Sequence, residues 1–334
     1  MAGKGKRIRI ARLIILTAAA AGCVGLFAVA KVYFAERPAA DPGMSASDAI
    51  ARVSQLDSAE SYPLDPVLAT ARDALANMHA NIRDYAATLE KQELVAGQLQ
   101  GVTRIELKIM HAPAEQPSGG EATPSGYSEA ATEIAATQAA EGETAPAKIE
   151  DAAAPFRLHA YFHFLEPSSA AGREVIYVEG ANQGKMIVHE GGFKNLFRVE
   201  LLPESPLAMM GNKYPANRVG LETLLRKLIE KGLRDRKVPG CEVEIEEGYV
   251  WEGVSTNRIV VTHPKPLEGL DFHQAVIIID PMRQVPLAFS SYAWPSESGG
   301  EPPLQESYAY HDLKINIGLT EKDFDPDNEA YNYP

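Results

Sequence analysis

Positive charge is scarce in most of this sequence, which has 32 lysine and arginine residues against 45 aspartate and glutamate residues. Six of the basic residues lie in the first 35 positions, where there is no acidic residue, which leaves 26 basic against 45 acidic residues, a net charge of −19. A body this acidic repels a phosphate backbone, so the composition excludes nucleic acid as a partner. The 45% content of hydrophobic residues is nevertheless ordinary for a folded protein.

Cysteine is nearly absent as well, with 2 residues in the chain. Cys23 lies in an apolar N-terminal run and Cys241 lies in the body, so no disulfide bond can form within the folded part. The acidic residues that follow Cys241 disfavour its thiolate form. We therefore interpret Cys241 as an inert, half-buried thiol.

The strongest local signal is at the N-terminus, where a basic segment precedes an uncharged run over residues 13–30. As a helix this run is about 27 Å long, enough to cross the core of a bilayer. The basic flank places residues 1–35 as a cytoplasmic tip and a transmembrane signal anchor, with the rest of the chain on the extracytoplasmic, periplasmic side of the cell membrane. Cleavage after Ala30, which would release the body into the periplasm, and lipidation at Cys23 are the alternatives.

The remainder divides into a flexible linker over residues 36–63 and a single domain over residues 64–334. The linker has no sustained apolar period. Within the domain, residues 113–152 include 11 alanines and 8 acidic residues among 40, with three large apolar side chains. Such a segment buries too little surface to offset its ordering entropy, so we predict a disordered acidic insert at the tip of a hairpin.

Two stretches have helical periodicity and the others alternate as strands. Asp65-Pro66 starts a predicted helix, and a second is predicted over residues 217–231, with Gly232 as its C-terminal stop. Between and after them, alternating segments follow one another through short turns. The pattern predicts an α+β fold: an antiparallel β-sheet with enough strands to curl, together with two packed helices.

No catalytic or metal-binding signature stands out. His159 and His163 would form a metal pair on a helix, but on a strand they stand about 13 Å apart, so we interpret them as solvated. Asp323, Asp325 and Asp327 have the spacing of a calcium loop, yet the glycine and the bidentate glutamate of such loops are missing. We therefore predict a non-enzymatic protein with no catalytic residues, metal or cofactor.

Several segments resemble one bacterial family. Residues 286–295 (PLAFSSYAWP) and 308–328 (YAYHDLKINIGLTEKDFDPDN) carry the resemblance most specifically, and residues 172–180 (GREVIYVEG) and 89–93 (LEKQE) add to it. They resemble the domain of unknown function 1571 family, found in planctomycetes. By analogy, the order of elements is also similar to the lipoprotein-carrier (LolA/LolB-like) half-barrel, which implies a curved sheet whose concave side holds acyl chains.

Aromatic residues on the predicted strands suggest where a ligand would bind. A curled sheet would bring them together on an apolar concave surface suited to a lipid, a lipoprotein or another hydrophobic ligand. The predicted ligand-binding residues are Phe156, Phe162, Phe164, Tyr177, Trp251, Phe289 and Trp294. The alternative is an envelope structural or protein-interaction module in which the same residues pack a fully filled sheet.

Overall fold

A computed structural model describes residues 43–56, 60–113, 156–192, 196–297 and 299–334. The predicted transmembrane anchor, nearly all of the predicted acidic insert, and Cys23 lie outside these residues. Among the helices that are described, none is long and apolar enough to cross a membrane.

The described chain forms one large, open antiparallel sheet with three helices. The strands are β1 (Asp84–Val95), β2 (Gln98–Leu99), β3 (Thr103–Pro113), β4 (Phe156–Glu166), β5 (Glu174–Val178), β6 (Met186–His189), β7 (Val199–Leu201), β8 (Glu242–Trp251), β9 (Val254–Thr262), β10 (Gln274–Asp280), β11 (Val285–Tyr292) and β12 (Leu304–Ile315). Two meanders spread outward from the central pair β1 and β12, one through β3 to β7 and the other through β11 to β8. The outermost strands, β7 and β8, do not pair with each other in the described residues, so the sheet stays open.

The predicted antiparallel α+β architecture is confirmed, but the number of helices is not two. The helices are α1 (Ala46–Ser54), α2 (Asp65–Asn81) and α3 (Leu221–Asp235). The first lies in the region predicted to be a flexible linker. Ser45 caps it by accepting a hydrogen bond from the Asp48 backbone N–H at 3.1 Å. Its small apolar face (Ala46, Ala49 and Val53) packs into the same core as α2 and α3.

The second predicted helix, α3, runs four residues further than the sequence indicated. Gly232 does not stop it, because the glycine lies inside the helix where α3 packs against α2. A Cβ atom at Gly232 would stand 2.8 Å from Leu68 Cδ2, so glycine is the residue that lets the two helices approach closely. The buried stripe of α2 includes Leu68, Ala71, Leu75 and Met78, which recur with the helical periodicity that predicted this helix.

The two faces of the sheet are covered differently. The helices and the main apolar core lie on one face. The other face is covered by a C-terminal segment, residues 319–333. This segment packs Phe324 and Tyr331 against Tyr161 and the rest of a small apolar cluster. This cover buries His159, whose ring lies 5.4 Å from that of Phe324, so the prediction that His159 is solvated is wrong. His163 is half-buried and its Nδ1 lies 2.7 Å from Glu106 Oε2.

The three aspartates with calcium-loop spacing belong to this C-terminal cover and make local contacts. Asp323 accepts hydrogen bonds from the Thr320 backbone N–H and from Lys108. Asp325 accepts one from the Asp327 backbone N–H, and Asp327 pairs with Arg198 at 2.7 Å. Within the described residues, no group of three or more histidine, cysteine or acidic side chains could hold a metal ion.

Gly220→Ala is expected to lower the free energy of unfolding by about 2 to 3 kcal/mol, since Gly220 has a backbone conformation that only glycine adopts easily. Its φ is 107° and its ψ is 169°, and a Cβ atom would stand 2.5 Å from Tyr85 Oη. That hydroxyl accepts a hydrogen bond from the Leu221 backbone N–H at 2.9 Å, which fixes the start of α3.

Urea unfolding followed by intrinsic fluorescence measures the effect. Gly253→Ala is the matched control, because Gly253 also has a positive φ but no atom lies within 4 Å of an added Cβ. Equal losses in the two variants would show that the contact with Tyr85 is unimportant.

Candidate ligand-binding cavity

A cavity of about 640 Å³ lies between the sheet and the elements that cover it. Its floor is formed by β1, β3, β4, β5, β6 and β12, and its walls by residues 196–220 and the first two turns of α3. The apolar side chains of the floor are Leu89, Ile105, Phe162, Phe164, Val175, Met186 and Val188. This volume falls within the range of about 300 to 1,000 Å³ that is typical of small-molecule sites.

The position of the helices explains why a cavity forms here. Both α2 and α3 contact β11, so they fill the half of the sheet that contains β9 to β11. The other half, around β4 to β6, is covered by residues 196–220, which form little regular structure. This segment leaves most of its large apolar side chains exposed, Met209 being buried, and so it leaves space above the sheet.

Those side chains instead form an exposed apolar rim around the cavity. The rim residues line the cavity and are also 61 to 74% exposed: Leu196, Phe197, Leu207 and Met210. Large apolar groups exposed together on a surface are typical of an interaction site. The rim therefore makes the entrance of the cavity apolar.

One wall of the cavity is polar, because β1 brings charged side chains onto its inward face. Glu93 is buried, and its Oε1 accepts a hydrogen bond from Tyr308 Oη at 2.6 Å. Its Oε2 accepts from Lys91 Nζ at 2.9 Å and from the Lys213 backbone N–H at 3.1 Å. Lys91 Nζ also donates to Asn212 Oδ1 at 2.9 Å. These hydrogen bonds hold the segment of residues 196–220, called the covering segment below, against the sheet at Asn212 and Lys213.

Glu306, a second buried carboxylate beside this wall, extends the network. Its Oε2 lies 3.0 Å from Lys213 Nζ and 3.3 Å from Tyr308 Oη. Burial, and then the charge of Glu306, raise the pKa of the Tyr214 phenol above its ordinary value. Burial, and then the charges of Glu306 and Glu93, raise the pKa of Tyr308 far above its ordinary value. The phenol therefore remains a hydrogen-bond donor between the two carboxylates at neutral pH.

Glu93 stays ionised despite its burial. Burial alone raises the pKa of Glu93, but the charge of Lys91 and the hydrogen bonds from Tyr308, Lys91 and Lys213 outweigh it and lower the pKa below its ordinary value of 4.5. The network is thus a set of paired charges.

Basic side chains outnumber acidic ones around the cavity. Four of the six charged residues that line it are basic, and the six are Lys91, Arg173, Arg218, Lys227, Glu93 and Glu190. Arg173 pairs with Glu190 at 2.9 Å and its guanidinium lies 5.5 Å from the centre of the Phe164 ring. The excess is local, since the chain as a whole has a net charge of −13.

Two of the seven aromatic residues predicted to bind a ligand, Phe162 and Phe164, line this cavity. The other five lie elsewhere, for reasons that follow from the cover of the sheet. Phe289 is buried on β11, which both long helices contact, and Tyr177 is buried in the main core. Phe156 packs edge-on against His79.

The two tryptophans lie at the ends of strands, outside the cavity. Trp251 is the last residue of β8 and packs partly buried against the main core. Trp294 lies just beyond β11, and its Nε1 donates a hydrogen bond to the His263 carbonyl oxygen at 2.9 Å.

Sequence reasoning missed most of the other lining residues. Those in residues 196–220 carry no periodic signal. The polar wall does carry a periodic signal, because Leu89, Lys91 and Glu93 occupy alternate positions and share a face of β1. Charged residues on a face that begins as apolar indicate that this end of the strand does not face a packed core.

Comparison with solved structures gives low similarities over most of the chain. A DUF1329 family protein from Desulfovibrio piger is 11% identical with a TM-score of 0.32, over 79% of this chain and 98% of that chain. A putative outer membrane lipoprotein-sorting protein domain from Vibrio parahaemolyticus is 13% identical with a TM-score of 0.31, over 77% and 95%. At these TM-scores the similarity carries no conclusion about function.

A third structure, the complex of MucA and MucB from Pseudomonas aeruginosa, contains a chain that is 11% identical with a TM-score of 0.34. The match covers 76% of this chain and 60% of that chain. Comparison with curated proteins gives no match.

One family model matches the chain, and it is described as "Protein of unknown function (DUF1571)". The match extends over residues 82–333, which include all twelve strands and α3. It confirms the resemblance that residues 286–295 and 308–328 carry in the sequence. The chain therefore belongs to the DUF1571 family.

Proposed function

We propose that this protein binds a lipid, a lipoprotein acyl chain or another hydrophobic ligand in the cavity, without converting it chemically. The observation that carries the proposal is the open volume of about 640 Å³ above an apolar floor. The alternative, an envelope structural or interaction module, requires a fully packed sheet, and the cavity favours ligand binding over it.

The chemistry of the lining supports this function. Burying an acyl chain gains about 0.8 kcal/mol for each CH₂ group removed from water, so an apolar floor of this size can hold a chain firmly. The exposed rim of Leu196, Phe197, Leu207 and Met210 offers an apolar path from the surface to the floor. The carboxylates of the polar wall are paired with lysines and phenols of the protein itself, so they serve the structure and not a reaction.

The proposed place of action is the extracytoplasmic side of a membrane, with the chain anchored through residues 13–30. The support is the uncharged run of 18 residues behind a basic segment. A lipid ligand and a membrane anchor fit one another, since the anchor would keep the rim close to a lipid source. Release into the periplasm after cleavage remains compatible with the same ligand.

Native mass spectrometry of the full chain after mild extraction tests the proposal. We expect a copurifying species with the mass of a lipid, which organic extraction removes and which a fluorescent fatty-acid probe then replaces. A control preparation from cells without the protein identifies lipids carried over by the detergent. A chain that has its own mass alone and binds no probe would contradict ligand binding and favour the interaction module.

A further inference from the structure

One of the basic residues around the cavity, Lys227, forms no salt bridge within the described part of the chain. Two of the four basic residues are paired with the two acidic ones: Lys91 Nζ lies 2.9 Å from Glu93 Oε2, and Arg173 Nη2 lies 2.9 Å from Glu190 Oε1. The remaining two charged residues of the lining are both basic, and of these Arg218 has an interaction of its own. Lys227 is therefore the candidate site for an anion in the lining.

Lys227 is the cation to which an anion would bind most favourably. It is half-buried on the second turn of α3, and its Nζ lies 4.7 Å from the centre of the Tyr214 ring. In the described residues it forms no salt bridge. The ring holds the ammonium group in place by a cation–π contact but does not neutralise its charge.

The electrostatic surroundings of Lys227 are consistent with an unneutralised cation. Burial, and then the positive charge of Arg218, lower its pKa, while Glu230 and Glu306 oppose this effect without cancelling it. A nearby anion would reverse the shift, because it would stabilise the charged ammonium.

We propose that the cavity selects amphiphiles with an acidic headgroup, a carboxylate or a phosphate, which pairs with Lys227 while the acyl chain lies on the apolar floor. This inference rests on the proposed function, since it assigns the headgroup of the same hydrophobic ligand. The opposite choice, a cationic or neutral headgroup, would leave the ammonium of Lys227 partly buried without a partner, which costs free energy.

Displacement of a neutral fluorescent lipid probe from the full chain measures the selectivity. We use four competitors with the same oleoyl chain: oleate, oleoyl lysophosphatidate, monoolein and oleylamine. For the wild type, we expect at least one of the two acidic competitors to displace the probe at a concentration about tenfold lower than monoolein, a difference of about 1.4 kcal/mol. The competitor that does so distinguishes a carboxylate ligand from a phosphate ligand.

Lys227→Met is expected to remove this preference, which is measured in each variant as the ratio of the concentrations at which the acidic competitor and monoolein displace the probe. Lys227→Arg keeps the charge and should keep the preference. The control is Lys231→Met, one turn further along α3, because Lys231 does not line the cavity and pairs with Asp271 at 3.2 Å. We expect Lys231→Met to behave as the wild type.

Two results would overturn the inference and spare the proposed function. One is a wild type that binds monoolein or oleylamine as tightly as both acidic competitors. The other is a Lys227→Met variant that is folded and retains the preference for the acidic competitor. A wild type that binds neither the probe nor any competitor would contradict the proposed function itself.

Discussion

Glu93→Gln is expected to lower the free energy of unfolding by about 3 to 5 kcal/mol, the usual cost of removing one partner of a buried ion pair. The substitution keeps the size of the side chain and removes its charge. Lys91 then loses its charged partner, and the Lys213 backbone N–H and Tyr308 Oη lose a strong acceptor. Because these groups hold residues 212–214 on the sheet, we also expect the covering segment to loosen and probe binding to weaken.

A carboxylate in the same strand provides the control for Glu93→Gln. Glu90 pairs with Arg104 at 2.9 Å, but its side chain is 32% exposed and that of Arg104 is 49% exposed. Water and salt screen such a pair, so Glu90→Gln should change stability much less. Urea unfolding of both variants measures the difference. Similar losses for Glu90 and Glu93 would show that burial of the network is unimportant.

The effect of Glu93→Gln should also depend on pH in one direction. The pKa of Glu93 is lower in the folded state than its ordinary value of 4.5, so its ionised form stabilises the fold above that value. This stabilisation is lost as the pH falls through the folded-state pKa. The difference in unfolding free energy between wild type and variant should therefore be largest near neutral pH and shrink below about pH 4.5. A difference that is constant with pH would rule out the charge as its source.

The regular elements of the fold were predictable because their periodicity is strong. Strand alternation and the buried stripe of α2 were sufficient for the antiparallel α+β fold. Helix α1 was not recognised, since its apolar face consists of Ala46, Ala49 and Val53, which are small and produce a weak period. Its one clear signal is Ser45 three residues before Asp48, the spacing of an N-terminal cap.

The parts that were not predictable depend on contacts between distant segments. When α3 is considered alone, Gly232 predicts the end of the helix. Only the close approach of Leu68 from α2 explains why a glycine lies inside α3 at this position. The strand position of His159 predicts a solvated side chain, because it carries no sign that the C-terminal segment covers this face of the sheet. The same reasoning applies to Phe289 and Tyr177, whose strand positions do not reveal which half of the sheet the helices fill.

Thr223→Trp is expected to abolish ligand binding, or weaken it at least tenfold, while the protein stays folded. Thr223 lies on the first turn of α3 and lines the cavity. An indole at this position would occupy space that the structure leaves open, so it displaces a ligand and not core side chains. Because the added group enters a cavity, overpacking strain should be small, and we expect the unfolding free energy to change by less than about 1.5 kcal/mol.

Fluorescent fatty-acid titration of the wild type, Thr223→Trp and Thr223→Ser checks this expectation. Thr223→Ser is the control, because it removes one methyl group at the same position and leaves the cavity open. We expect Thr223→Ser to bind as the wild type and Thr223→Trp to lose binding with an unchanged circular dichroism spectrum. Tight binding by a folded Thr223→Trp variant would mean that the ligand lies elsewhere on the sheet, since 640 Å³ of space narrowed by an indole could not hold the same chain. Loss of binding in both variants would instead point to the threonine methyl group as a contact, a result that volume alone does not explain.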